Sequence, residues 1–348
     1  MSVRHLDVVR DALRTAGADA LWLHPAVDFR YLTGLQPIAV ERPTALVIPA
    51  RGGLRIVAPT MLVAELEGIG AEIAAWSDGD GPAAAIARVL DGIGRCLVEP
   101  DLPTGVAFAL RAAHPGIELA LDPGILAGLR ERKGPDELES LREAGREADA
   151  AMAWVAGLDL AGRSEHGLAL ELQARFLHSG AGAYSGYVVA AGPNAALPHH
   201  ASGDTELGGA PVLTDFGCIV GGYHSDMTRV HHADGEAAEA YAVVQAAHDA
   251  VIAALAPGLP CAEADRIARD VVADAGYGDA FIHRLGHGVG LEIHEEPYLR
   301  PGNPAPLEAG HVFSVEPGIY VPGRFGVRYE NLVHLGPDGP ELLNAAPA

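Results

Sequence analysis

Two pairs of acidic residues, Asp215/Asp226 and Glu316/Glu330, each bracket a turn sequence, and that spacing constrains the fold more than any other feature of the chain. Residues 211–217 and 223–230 read as strands separated by Cys218-Ile-Val-Gly-Gly222, whose two glycines can supply the positive φ of a tight turn. Centring this hairpin near Val220 and Gly221 sets Asp215 opposite Asp226. Around Val321-Pro-Gly-Arg324 the pattern recurs, with Gly323 midway between Glu316 and Glu330. Directly opposed side chains lie about 4.5–5.5 Å apart, so each hairpin brings two like charges together, which is destabilising without a cation between them. Taken singly, any of these acids reads as a solvated residue on the outer face of a hairpin. Their recurrence, and the apolar company of Val212-Leu213 and of Val312-Phe-Ser-Val315, read instead as inward-facing carboxylates.

Between the pairs in sequence lies His283-Arg-Leu-Gly-His-Gly-Val-Gly-Leu-Glu-Ile-His-Glu-Glu-Pro297. The stretch from His294 is not an HExxH motif, because position 298 is Tyr and Pro297 would spoil the helix that motif requires. Gly286, Gly288 and Gly290 do not make a phosphate loop, since neither a lysine nor a helix N-cap follows. Flanking glycines are expected instead to let the backbone approach a metal and to aim the His287 imidazole. Four carboxylates formally balance two divalent cations, and His287 adds one neutral nitrogen. Such an oxygen-rich set favours Mn²⁺, with Co²⁺, Zn²⁺ or Fe²⁺ as alternatives, over a thiolate zinc site. Vacant positions would hold a bridging water, ionised near neutral pH, which makes hydrolysis the expected chemistry. His199 and His294 can supply the proton-transfer and oxyanion-stabilising groups that amide hydrolysis still needs; His200, His231 and His232 are weaker choices.

At 348 residues the chain suits two domains, and the expected boundary separates 1–128 from 129–348. The first part alternates helix and strand signals: helices near 4–16, 60–69, 81–92 and 103–113, strands near 19–24, 44–50, 53–58, 71–77 and 95–100. This is a small α/β domain with few catalytic groups, suited to packing, substrate capping or dimerisation. The second part opens with a long helix N-capped by Asp136 and ending near Val155. It continues with a helix near 164–179, a strand near 186–192, the first hairpin, helices near 236–255 and 261–275, and the second hairpin. Helix pairs alternating with β segments predict two related halves, each giving part of one central site.

A formal charge of −22 without a Lys/Arg cluster argues against nucleic acid or an anionic membrane as partner. No apolar run approaches the ~18 residues of a membrane span, and Met-Ser-Val-Arg-His-Leu-Asp lacks a signal-peptide core, so a cytoplasmic protein is expected. Cys96, Cys218 and Cys261 show no paired spacing and read as ordinary buried thiols.

The combination of Leu213-Thr-Asp-Phe-Gly217, Gly222-Tyr-His-Ser-Asp-Met-Thr-Arg229, Gly286-His-Gly-Val-Gly-Leu-Glu-Ile-His-Glu-Glu-Pro297, Val315-Glu-Pro-Gly318 and Gly326-Val-Arg-Tyr-Glu330 closely resembles the pita-bread metallopeptidases. It is most similar to their proline-specific branch, prolidase and Xaa-Pro aminopeptidase. The likeness spans nearly the whole chain, including Tyr31-Leu-Thr-Gly34. It implies an α/β (α+β) fold with a creatinase-like amino-terminal domain and a pita-bread catalytic domain. It further implies that Asp215 chelates one metal, that His287 and Glu316 bind the other, and that Asp226 and Glu330 bridge both. His199 and His294 would serve the substrate and tetrahedral intermediate, Arg328 the substrate or the orientation of the site, and Tyr223 would support the ligands from behind. Tyr329-Glu-Asn331 departs from the Ile-Glu-Asp pattern of many relatives but keeps the acid itself. The expected substrate is a dipeptide with proline second, cleaved by a homodimer. Alternatives are an Xaa-Pro aminopeptidase acting on longer peptides, a methionine aminopeptidase, disfavoured by the amino-terminal domain, and metal-free creatinase-like hydrolases or binding modules, disfavoured by the complete ligand set.

Overall fold

The computed structural model describes residues 3–37, 41–183 and 187–347. The chain divides into Met1–Leu129 and Arg130–Ala348.

The first unit is built on a six-stranded mixed sheet in the order Glu72–Trp76, Arg55–Pro59, Ala45–Pro49, Ala20–Leu23, Arg95–Val98, Glu118–Leu121. Ala20–Leu23 and Ala45–Pro49 are buried at every position, as their unbroken apolar runs require for strands covered on both faces. Three elements escape the sequence reading: the helices Val27–Thr33 and Ile125–Arg130 and the edge strand Glu118–Leu121. The helix expected near 60–69 is a relay of 3₁₀ turn, α turn and 3₁₀ turn. Gly68 and Gly70 deny it helical propensity, and Gly70 ends it at φ 76°.

In the second unit the long helix spans Pro135–Ala156, and its N-cap is Gly134 rather than Asp136. Pro135 is preset for the first helical position, and the Glu137 carboxylate accepts the Gly134 N–H at 2.7 Å, so the cap falls two residues earlier. Glu165–Ser179 pairs with this helix, and Gly235–Ala254 with Cys261–Asp274. The strand expected at 186–192 is Val188–Ala191; Gly186 lies outside the described residues. Cys96, Cys218 and Cys261 are free and buried.

Each helix pair closes a separate core. Ala144, Ala148, Met152, Leu168 and Phe176 pack on Val212, Phe216 and Met227 of the first hairpin region. Ala240, Val244, Ala247, Ala264 and Ala268 pack on Phe313, Val315, Ile319 and Val327 of the second. Successive side chains of a strand point to opposite faces. Because Phe216 and Val315 face helices, their neighbours Asp215 and Glu316 turn the other way.

The two hairpins differ in register. In the first, Val220 pairs with Tyr223, Phe216 with Met227 and Asp215 with Thr228. Both Gly221 (φ 59°) and Gly222 (φ 96°) adopt positive φ as a two-residue loop, so the fold centres between the glycines rather than between Val220 and Gly221. Asp226 therefore sits diagonally from Asp215 on the same face, not opposite it; diagonal neighbours are about 7–8 Å apart. In the second, Gly318 pairs with Arg328 and, on the far side, Val315 with Asn331. Glu316 and Glu330 occupy mirror positions at the one interruption of this ladder, centred on Gly323 (φ 72°) as the turn sequence predicts.

That interruption positions the site. Freed from pairing each other, Glu316 donates its N–H to the Leu285 carbonyl (2.9 Å) and Glu330 to the Thr228 carbonyl (3.3 Å). One acid thereby docks the strand Gly286–Gly288, which carries His287, and the other docks the hairpin that carries Asp215 and Asp226.

Candidate active site

Asp215, Asp226, His287, Glu316 and Glu330, drawn from the two hairpin regions and the strand Gly286–Gly288, line one cavity of about 360 Å³ together with His199, His294 and Arg328. The structure thus brings together the five residues expected as ligands and the three expected as catalytic groups. Pro198, His283 and Arg284 complete the lining.

His287 is 3 % exposed. Its Nδ1 donates to the Gly288 carbonyl (3.1 Å), which turns Nε2 toward Glu316 Oε1 at 3.2 Å and Asp226 Oδ2 at 3.7 Å. A nitrogen lone pair facing carboxylate oxygens needs a proton or a cation between them. The backbone is held equally firmly, with His287 N–H bonded to Ser314 Oγ (3.1 Å) and that hydroxyl donating to Glu316 Oε1 (3.2 Å).

The flanking glycines act differently from the expectation that they open the backbone to a metal. A Cβ on Gly286 would overlap the Ser314 carbonyl oxygen, and one on Gly288 the Glu296 carbonyl. Neighbouring strands occupy the space that side chains there would need. Glu295–Leu299 is itself a strand, with a cis peptide at Glu296–Pro297, so the His294 region carries no metalloprotease helix.

Electrostatics separates the carboxylates. Burial, then the charges of Glu330, Asp215 and Glu316, push Asp226 well above the ordinary range. Burial, then Glu316 and Asp215, does the same to Glu330. Asp215 is raised by burial, opposed by its ion pair with Arg328. Burial works most strongly against the charge of Glu316, but its hydrogen bond to His287 and the charges of His287, His283 and Arg328 together outweigh it and hold the carboxyl at about 2. Four acids in one cavity cannot all ionise unaided, and divalent cations would reverse that penalty. Asp226, His287 and Glu330 each offer a ligand atom, all within 4.8 Å of one another. Small side-chain adjustments bring such atoms to the roughly 2.0–2.2 Å bonds of a first-row ion. The residues present therefore fit a divalent metal.

Arg328 is 3 % exposed and spends its nitrogens within the site, on Asp215, on Tyr320 Oη (2.6 Å) and on Thr228 Oγ1 (3.0 Å). The sequence reading misses its partners. Tyr320, whose phenol burial pushes up to about 12, also contacts His283 Nε2 at 3.0 Å, giving a continuous chain His283–Tyr320–Arg328–Asp215. Counting in twos from Glu316 through Gly318 would have reached Tyr320. Tyr223 lies elsewhere: its hydroxyl donates to Glu137 at 2.6 Å, and it is absent from the cavity wall.

His294 stacks edge-on against His287, with ring centroids 4.3 Å apart. The residue is exposed overall, yet its ring borders the cavity, and burial there followed by the His287 charge pushes it down to about 4. His199 is exposed at the cavity rim. The weaker choices lie away from this cavity: His200 bonds Glu165 (2.8 Å), His231 is buried on Thr214 Oγ1 (3.0 Å), and His232 borders another cavity.

Residues 139–337 match metallopeptidase family M24, and residues 5–131 match the creatinase/prolidase N-terminal domain. The chain is 36 % identical over 354 residues to the probable dipeptidase PepE of Mycobacterium bovis, covering 99 % of this chain and 94 % of that one. It is 32 % identical over 355 residues to the Xaa-Pro dipeptidase of Lactobacillus helveticus, with 96 % and 95 % covered. The crystal structure of recombinant prolidase from Thermococcus sibiricus superposes with a TM-score of 0.93 at 32 % identity, covering 99 % of this chain and 96 % of that one. No helix among the described residues is long and apolar enough to cross a membrane. The chain belongs to metallopeptidase family M24, as a peptidase of the prolidase branch with a creatinase-type amino-terminal domain and a pita-bread catalytic domain.

Proposed function

We propose that this peptidase hydrolyses the Xaa-Pro bond of dipeptides, using two divalent ions held by Asp215, Asp226, His287, Glu316 and Glu330. The observation that carries the reading is the convergence of four carboxylates and the His287 Nε2 lone pair in one cavity. Asp226 and Glu330 feel the charges of the other acids most strongly, which supports their bridging both ions, with Asp215 on one and His287 and Glu316 on the other. Bound there, the ions would polarise the scissile carbonyl and lower the pKa of a shared water toward neutrality. Manganese suits this oxygen-rich set, with Co²⁺, Zn²⁺ or Fe²⁺ as substitutes.

The chain's own groups do the rest. His294, largely neutral at pH 7, and His199 at the rim can hydrogen-bond the reacting carbonyl and pass a proton to the departing proline nitrogen. Arg328 holds Asp215 and Tyr320 in place and so fixes the metal-facing carboxylate. Relatives named dipeptidase and Xaa-Pro dipeptidase support the substrate class. A cytoplasmic homodimer, assembled through the amino-terminal unit, completes the reading; the three free, buried thiols suit a reducing compartment. The test compares Ala-Pro with Ala-Pro-Ala under added Mn²⁺. Cleavage of the tripeptide alone would replace the dipeptidase assignment with an Xaa-Pro aminopeptidase.

A further inference from the structure

Asp226 has the least direct support of the four acids. Asp215 is paired with Arg328, Glu316 accepts from Ser314 Oγ (3.2 Å), and Glu330 accepts from Thr228 Oγ1 (2.5 Å). No donor among the described residues reaches the Asp226 carboxylate within hydrogen-bond distance, and His287 Nε2 stands 3.7 Å away. Strand pairing does not hold it either, because Asp226 lies in the break between the strands Tyr223–His224 and Met227–His231.

Its backbone is anchored from far along the chain. Asn344 Nδ2 donates to the Asp226 carbonyl (2.7 Å), and Asn344 Oδ1 accepts the Leu332 N–H (2.8 Å). An acceptor at one partner and a donor at the other allow the amide a single orientation. This side chain, 1 % exposed and absent from the cavity wall, thus ties the first hairpin to the strand Asn331–Gly336 that follows Glu330. Asn331 Nδ2 in turn donates to the Asn344 carbonyl (2.5 Å). An aspartate at 331 would set a carboxylate oxygen against that carbonyl, so the departure in Tyr329-Glu-Asn331 is matched to Asn344.

The segment that carries Asn344 is itself fixed. Leu343 N–H donates to the Leu332 carbonyl (2.8 Å), and Asp149 Oδ1 on the long helix accepts the N–H groups of Ala345 (2.8 Å) and Ala346 (2.7 Å). The helix approaches so closely that a Cβ on Gly145 would overlap the Leu343 carbonyl oxygen. Such a frame behind Asp226 matters because metal–ligand distances tolerate only about 0.2 Å.

We propose that Asn344 is a positioning residue of the metal centre, holding the Asp226 carbonyl and so setting the carboxylate that bridges the two ions. This rests on the dinuclear reading above.

The experiment titrates Mn²⁺ calorimetrically into metal-free, full-length wild type, Asn344→Ala, Asn344→Ser and Asp149→Ala, with EPR of the loaded proteins and urea denaturation of the metal-free ones. Asn344→Ala should weaken Mn²⁺ binding by about ten- to a hundredfold, as loss of a hydrogen bond behind a ligand does, and the EPR spectrum of coupled Mn²⁺ pairs should give way to that of isolated ions. Asn344→Ser, which keeps a polar group but falls an atom short of Asp226, should show the same loss and serves where Asn344→Ala does not fold. Asp149→Ala frees the end of the segment without touching the Asn344 bonds, so it should lose stability yet keep Mn²⁺ affinity within about threefold. Equal losses of affinity in Asp149→Ala and Asn344→Ala would overturn the assignment, because general loosening of the segment would then be the cause. If wild type binds fewer than two Mn²⁺ ions, the dinuclear reading fails and this role falls with it. Two ions bound as tightly and as strongly coupled in the Asn344 variants as in wild type sink only the role of Asn344.

Discussion

Glu330 and Thr228 are joined twice, by the Glu330 N–H on the Thr228 carbonyl (3.3 Å) and by the Thr228 hydroxyl on Glu330 Oε2 (2.5 Å). The same hydroxyl accepts from Arg328 Nε (3.0 Å), so its donor and an acceptor site are both committed. At this point the two hairpins meet, and Glu330 is held 2 % exposed among three other acids. The fold itself imposes the electrostatic conflict that cations are proposed to relieve.

Substituting Glu330→Gln removes that conflict and a ligand together, so its effect should change sign with metal. Without metal, Glu330→Gln should melt above wild type because Asp226 loses a repelling neighbour. With Mn²⁺ it should melt below, because a ligand that binds only the native state contributes about 2.7 kcal/mol at a hundredfold excess over Kd. Thermal melts with EDTA and with Mn²⁺ check this. Equal Mn²⁺ stabilisation of both proteins would refute the ligand role.

Much of this centre is legible in the sequence, because turn residues and period-two alternation are local properties. Gly323 in its Pro-Gly turn sets the second register, and Glu316 and Glu330 follow. The first hairpin is harder, since Gly221 and Gly222 permit more than one turn and the φ of both decides whether Asp215 meets Asp226 or Thr228. Tyr320 is within reach of the same alternation, but its contact with His283 is not, because that pairing joins segments 37 residues apart, which no local pattern encodes.

Gly286→Ala tests whether the glycines serve strand packing. The new methyl would overlap the Ser314 carbonyl oxygen and push the His287 strand from the Glu316 strand. Overpacking of this kind costs about 1–3 kcal/mol, and metal affinity should fall with it. At Gly53 a Cβ meets nothing within 4 Å, so Gly53→Ala should stay within about 0.5 kcal/mol. Urea denaturation and metal titration measure both. Matching stabilities for the two variants would contradict the packing role.

Acid stability should report on His311, which is 2 % exposed and accepts the Glu308 N–H at Nδ1 (3.2 Å). Burial first, then the charges of Lys133 and Arg132, push it from 6.5 down to about 4. Between those values the unfolded chain binds more protons than the native one. Its contribution is therefore complete above pH 6.5 and is lost as pH falls through 4. Between pH 7 and pH 5 this amounts to about 2 kcal/mol. His311→Asn, which cannot titrate, should lose that much less stability over the interval in urea denaturation, and identical pH slopes would count against the assignment.

Glu165 is completely buried at the start of its helix, and its carboxylate accepts from Ala191 N (2.8 Å), Asn194 Nδ2 (2.9 Å), His200 Nε2 (2.8 Å) and Gly203 N (3.0 Å). Burial works against its charge, yet these donors outweigh it and hold the carboxyl below its ordinary range. The four contacts tie down both ends of the segment that presents Pro198 and His199 to the cavity. In Glu165→Gln one oxygen becomes an NH₂ facing donors, which leaves buried groups unsatisfied at a cost of about 2–3 kcal/mol. Asp215, Asp226, His287, Glu316 and Glu330 stand on other segments, so metal affinity should stay within about threefold while kcat falls at least about tenfold as His199 loses its place. Calorimetric Mn²⁺ titration beside Ala-Pro kinetics separates the effects. Parallel loss of metal affinity and kcat would mean that Glu165 supports the unit as a whole; loss of kcat alone would mark it as the residue that positions His199.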